Sequence, residues 1–370
     1  MNASARDDDR AAVVVVGMHR SGTSLLTRLL GLAGVELGRE EELAGPAFDN
    51  PRGFWEHEEL RAVDDELLAL LGGSWAAPPP EPLAERLAGP ECAPQRARAR
   101  TLLDERFGAA RVFGFKDPRA SLLVPFWRDL LPQRTAWVLA LRHPLEVMDS
   151  LARRNGLPRL VAEDLWRRYT VAAWRDAPEG ARTVVRYERL LEDPVAEVER
   201  VREVLDLPLP PLDDTRRAAI RAEADPGLRH HRPEDGRLAE LQPETRELLA
   251  WLSAPEPGPL PPHLLRAAEP PPLRRELQAA TAVLLSDRDH LQRALAQREE
   301  ALQAARAEAE RLGDELRREQ EAALRFAGER DAACERLGAL EERLAAVERR
   351  LEVRLGRRLR RLLGKGEGRT

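Results

Sequence analysis

The sequence predicts an α/β fold, a parallel sheet with helices on both faces, followed by a long C-terminal coiled-coil helix. Three observations predict it. Val13-Val14-Val15-Val16 is a run of four β-branched residues that suits a strand buried on both faces, and a turn from Gly17 to Gly22 carries it into the apolar helix Leu25-Leu26-Thr27-Arg28-Leu29-Leu30. A second apolar run, Thr135 to Leu141, ends at Arg142, and Pro144 follows at a first helical position. Beyond residue 274 the leucines and alanines recur seven apart.

Taken in order, strands are expected near 12–16, 111–116, 135–141 and 182–187, with helices near 22–33, 57–71, 119–131, 144–155, 160–177 and 194–206. That alternation gives a parallel sheet covered on both sides. Residues 1–10 read as a disordered N-terminus and 11–253 as one domain, its end helical again, with Trp251 and Leu252 as docking residues. Prolines crowd 254–273, which reads as a semi-stiff linker. Residues 274–363 read as a coiled coil with a basic end, and 364–370 as a disordered tail. Leu295, Leu302, Ala309 and Leu316 form one seam row, while Arg288, Arg298, Glu319 and Arg330 interrupt the seam and Gly313, Gly328 and Gly338 weaken the helix. A helix with so long an apolar stripe calls for a partner, either a second copy or another protein. The end from Arg354 to Arg361 sets arginines around leucines, a pattern that fits peripheral contact with an anionic membrane as well as a solvated helix end.

Composition sets the class. The chain has 370 residues, 43% of them hydrophobic, enough for a sizeable core, and its net charge of −5 argues against general nucleic-acid binding. No long uncharged apolar run occurs and Met1 to Arg10 is polar and acidic, so a cytoplasmic protein is expected. Cys92 and Cys334 have no Cys or His neighbours at ligand spacing, which excludes a disulfide framework and a zinc site. Lysine occurs only at Lys116 and Lys365, so the one lysine of the globular part, in Gly114-Phe115-Lys116-Asp117-Pro118-Arg119, stands out.

The turn after the first strand is a phosphate loop in outline. Gly17 and Gly22 keep the spacing of the triphosphate-binding form GxxxxGK[ST], yet Thr23 stands where the lysine belongs and the cation has moved to Arg20. A γ-phosphate with Mg²⁺ needs that lysine, so a different anion is expected on Arg20 and the N–H groups of Ser21, Gly22, Thr23 and Ser24. Arg142 and Ser150 belong near the carboxyl end of another strand, the edge where ligands lie in open α/β sheets, and arginine's planar fork suits a phosphate.

Gly17-Met18-His19-Arg20-Ser21-Gly22-Thr23-Ser24 resembles the 5′-phosphosulfate loop of the sulfotransferases that use PAPS, 3′-phosphoadenosine-5′-phosphosulfate. Arg142 to Ser150 resembles that family's 3′-phosphate site, and Asn50 to Glu56, Gly114 to Arg119 and Val184 to Leu191 look like further stations of its bacterial members. The likeness runs over about residues 11–207. It implies a three-layer fold of the P-loop type, PAPS as sulfuryl donor released as PAP, and no metal. It implies cofactor binding by Gly17, Arg20, Ser21, Gly22, Thr23, Ser24, Arg142 and Ser150, and catalysis by Arg20, Glu56 and Lys116. Arg20 would neutralise the leaving phosphate and Lys116 the transferring sulfuryl oxygens. Glu56 matches the family's Gly-aromatic-aromatic-Glu pattern and is the favoured base, with His57, Glu58 and Glu59 beside it as open alternatives. The acceptor is a hydroxyl or amine, and family habit points to a carbohydrate or glycolipid. The competing readings are a nucleotide-dependent kinase, which the missing loop lysine opposes, and a coiled-coil scaffold with a vestigial nucleotide fold, which intact Arg20, Arg142 and Ser150 oppose.

Overall fold

The computed structural model describes residues 10–45, 53–224, 235–255, 257–325 and 330–363. The first nine residues, the 364–370 tail and Asn50, Pro51 and Arg52 lie outside the described residues.

Strand β1 (Ala11–Val16) runs through the 17–22 loop into helix α1 (Thr23–Ala33). All six β1 residues are buried, as a strand with neighbours on both edges and helices on both faces must be. With β2 (Val112–Lys116), β3 (Thr135–Leu141) and β4 (Arg182–Arg186) it forms a four-stranded sheet in the order β2-β1-β3-β4, every pair parallel. Val13 stands beside Gly114 on one side and Ala136 on the other. The chain steps outward from β1 to β2, then crosses back to β3. The order therefore reverses between β1 and β3, and the crevice beyond such a reversal is where open α/β sheets bind ligands.

Helix α1 lays Leu26, Leu29, Leu30 and Ala33 on the sheet, all essentially inaccessible to water. Burying each leucine stabilises the fold by about 1.5–3 kcal/mol. The chain then adds α2 (Glu58–Leu70), α3 (Leu83–Ala88) and α4 (Ala93–Phe107) before β2. The last two were not among the expected helices. Helix α4 buries Ala99, Leu102, Leu103 and Phe107, none of them before its seventh residue, and its Arg- and Ala-rich opening has no apolar period. The helix expected over 119–131 forms in two pieces, a 3₁₀ turn at Pro118–Ser121 and α5 (Val124–Arg128). Pro125 has no N–H to give the Ser121 carbonyl, so the helix must start afresh.

Between β3 and β4 lie α6 (Pro144–Asn155) and α7 (Arg159–Asp176). Beyond β4 follow α8 (Tyr187–Glu192), α9 (Pro194–Val204), α10 (Asp214–Glu223) and α11 (Pro243–Leu252). Helix α7 is buried along most of its length, including Glu163, Asp164, Arg167 and Arg168, and each of these charges has a partner.

The described residues of 254–273, expected as a linker, are folded onto the domain. Helix α12 (Pro262–Ala267) buries Leu264, Trp174 Nε1 donates to the Gly258 carbonyl at 3.2 Å, and Arg168 pairs with Glu269. Arg274, in the first turn of α13 (Pro272–Arg325), reaches Asp164 at 2.6 Å. The prolines explain the difference, since Pro243, Pro262 and Pro272 each occupy a first helical position, where the fixed φ helps and the missing N–H costs nothing. The first compact unit accordingly extends to Val283.

The second unit, from Leu284 onward, contains the rest of α13 and α14 (Arg330–Leu363). The expected single helix over 274–363 thus comes as two described helices, with 326–329 outside the description. Leu312 and Leu340 are buried, whereas Leu284, Leu291 and Leu295 are more than half exposed.

Candidate functional site

The loop after β1 needs both its glycines. Gly17 has φ 135°, and a Cβ there would stand 2.6 Å from the Ala140 carbonyl oxygen of β3. Gly22 has φ 87°, and a Cβ would fall 2.4 Å from the Tyr187 ring. The close approach to β3 seats the loop at the reversal of the sheet. Two loop N–H groups are already engaged: Gly17 donates to Ser121 Oγ at 2.8 Å and Ser21 to the Met18 carbonyl at 3.1 Å. Of the cradle expected from sequence, Gly22, Thr23 and Ser24 therefore supply the helix-start N–H groups, which have no intrahelical acceptor.

Arg20 holds a left-handed backbone conformation, φ 70°, and such non-glycine strain concentrates at functional sites. Its Nε donates to Ser150 Oγ at 2.9 Å. The loop cation and the α6 serine, expected on two different phosphates, are in direct contact. Arg142 sits at the end of β3, donating to the Arg20 carbonyl at 3.3 Å and to Glu146 Oε2 at 2.6 Å, with its guanidinium 4.4 Å above the Tyr187 ring. Loop and strand end are thus stitched together by arginines.

The end of β2 carries the other half. Lys116, 1% exposed, pairs with Glu56 Oε1 at 2.7 Å and lies 3.4 Å from Ser24 Oγ, which itself donates to the Phe54 carbonyl. Burial pushes the Glu56 carboxyl up, but the charges of Lys116 and Arg119 outweigh it and hold the group below the usual range. The four neighbouring candidates for the base are separated by the fold. His57 is turned to Glu42, 3.6 Å away, and to the Phe107 ring; Glu59 pairs with Arg106 at 2.8 Å; Glu58 is exposed. Glu56 is the one that meets Lys116.

The chain matches the sulfotransferase family over residues 12–211. This chain belongs to the sulfotransferase family. No curated protein matches it in sequence. Among solved structures it is similar to the sulfotransferase domain of the Synechococcus PCC 7002 olefin synthase, with 18% identity, a TM-score of 0.37, and coverage of 70% of this chain and 93% of that one. It is also similar to sulfotransferase STF1 from Mycobacterium tuberculosis, with 17% identity, a TM-score of 0.40, and coverage of 59% and 73%.

The same end of the sheet holds further buried polar residues, of which Asp117 and Arg119 belong to the Gly114-to-Arg119 stretch already marked in the sequence. Behind Lys116, Arg119 bridges Asp65 at 2.6 Å and Asp117 at 3.0 Å, and Asp117 also accepts from the Arg119 backbone. Asp64 accepts from Trp127 Nε1 at 2.8 Å; burial, then the Asp117 charge, push its carboxyl well above the usual range. The His19 ring lies 4.8 Å from Trp75 and 5.9 Å from Tyr169, and its Nε2 is buried without a hydrogen-bond partner among the described residues. Burial, then the nearby Arg119, Lys116, Arg154 and Arg20 charges, push that imidazole well below its ordinary range. His19 lay inside the quoted loop and was legible as a candidate. Trp75 and Tyr169 come from segments far away in the chain, with no local pattern to mark them.

Proposed function

We propose that this sulfotransferase moves a sulfuryl group from PAPS to a hydroxyl or amine of an acceptor, a carbohydrate or glycolipid being the class we favour. The observation that carries the reading is the Lys116–Glu56 pair at 2.7 Å, which shares Ser24 with the start of α1. One element thereby faces an anion on its N–H groups and a cation–carboxylate pair on its first-turn hydroxyl.

In this reading Gly22, Thr23 and Ser24 N–H groups and Arg20 receive the 5′-phosphate side of the donor, and Arg142 and Ser150 its 3′-phosphate. The transfer breaks the S–O bond to the 5′-phosphate and forms one to the acceptor oxygen or nitrogen. The negative charge that gathers on the leaving phosphate meets Arg20 and the helix start. Lys116 offsets charge on the sulfuryl oxygens. The acceptor's proton passes to the free oxygen of Glu56. A carboxylate held low by Lys116 stays ionised at neutral pH and gains basicity as Lys116 turns to the sulfuryl group.

Calorimetry with PAP and ATP tests the donor assignment. PAP should bind and ATP should not, and Arg142→Ala should weaken PAP by about 2–5 kcal/mol, the cost of stranding a buried phosphate partner. Equal binding of ATP would return the chain to the kinase reading. Self-association through the exposed α13 leucines completes the proposal, with light scattering of the full chain expected to give at least a dimer.

A further inference from the structure

The last turns of α14 change character in a way that sulfuryl transfer does not use. From Arg330 to Glu348 the helix carries three arginines and five acidic residues, a mixed pattern that suits a helix partner. From Arg349 to Leu363 it carries seven arginines and one glutamate, while five leucines fall in the same fifteen residues. With 3.6 residues per turn, Leu351, Leu355, Leu359 and Leu362 follow the spacing i, i+4, i+8, i+11 and share one face. Arg350, Arg354, Arg357 and Arg361 follow i, i+4, i+7, i+11 on another. At the start of this stretch Arg349, Arg350 and Arg354 are exposed. We propose that residues 349–363 form a docking helix for an anionic phospholipid bilayer, lying in the interface with leucines toward the acyl chains and arginines among the headgroups.

Charge decides among the possible occupants. A second copy aligned in parallel would bring arginine against arginine along the whole stretch, which is destabilising for a paired helix. Nucleic acid satisfies the arginines but leaves the leucine row without an apolar contact. An anionic membrane satisfies both, since basic amphipathic helices bind by apolar burial together with attraction to acidic headgroups. Among the described residues no helix is long and apolar enough to cross a membrane, so the mode is interfacial.

Flotation of the full chain with vesicles tests this. Binding is expected to vesicles of phosphatidylcholine with about a quarter phosphatidylglycerol, to be at least about tenfold weaker on pure phosphatidylcholine, and to fall steeply in 0.5 M salt as screening shortens the reach of the charges. Arg357→Glu with Arg358→Glu and Arg361→Glu should abolish binding. Leu355→Gln with Leu359→Gln and Leu362→Gln should weaken it at least about tenfold, with PAP binding unchanged in both variants as proof of a folded domain. Failure to bind the acidic vesicles overturns the proposal. So does wild-type binding by the leucine variant, or tighter binding to a duplex oligonucleotide than to the vesicles.

Discussion

The two strand ends that flank β1 are built on different electrostatic plans. At the end of β3, Arg142 pairs with Glu146 while Arg20 donates to a neutral hydroxyl, Ser150. At the end of β2 every cation meets a carboxylate: Lys116 meets Glu56, and Arg119 meets Asp65 and Asp117. The first plan gathers two arginines beside a helix start, whose own N–H groups favour an anion. The second fixes one carboxylate in place and cancels its charge until something replaces Lys116 as the partner. The anion site and the base site proposed above would need these different plans, and the sheet order sets the two strand ends side by side.

The comparison breaks most sharply at Glu56. Glu56→Gln should keep PAP affinity and lower turnover by about 10²–10⁴-fold, the range for losing a general base. Arg20→Ala should do the reverse in binding, losing PAP affinity. If Glu56→Gln turns over normally, the β2 end is not a base site.

Stability probes the same end almost as strongly. Lys116 and Glu56 are nearly removed from water, so Lys116→Met leaves a buried carboxylate without its ammonium, at a cost of about 3–5 kcal/mol. Urea unfolding of Lys116→Met with Glu56→Gln should recover much of that loss, because no buried charge remains. Additive losses in the double variant would mean that the two side chains do not depend on each other.

How much of this was legible follows from where the signal lies. Val13 to Val16, the glycines of the loop and the Arg142-to-Ser150 segment are contiguous patterns, and their strands, turn and helix form as read. The partners that set the chemistry are long-range. Ser121 meets Gly17 across 104 residues and Arg20 meets Ser150 across 130, distances at which no local pattern exists. Prolines misled in one direction: in 254–273 they start helices instead of spacing domains. A smaller effect follows. A chain ending at Ala254 loses Leu264 and leaves Arg168 without Glu269, and should be less stable by about 2–4 kcal/mol than one ending at Val283. Equal midpoints in thermal unfolding would mark 254–283 as a spacer after all.

The smallest effect separates two buried carboxylates that shift in opposite directions. Glu56 lies low when folded, so its contribution to stability is present above its unfolded value and fades as pH falls through the folded one. Asp64 lies well above its ordinary value, because burial and the Asp117 charge favour the protonated form. Its contribution is full below the unfolded range, about 3.9 for an aspartate, and is lost as pH rises toward the folded value. Asp64→Asn keeps an oxygen for Trp127 Nε1 and presents an N–H toward Asp117 at every pH. It should match the parent at acidic pH and gain about 1 kcal/mol by pH 8, where the parent must either bury a second charge or hold a proton against the solution. Unfolding midpoints from pH 4 to 9 would show the curves diverging upward in pH. A constant offset would mean that Asp64 keeps the same proton throughout, and divergence toward acid would assign the raised carboxyl to another residue.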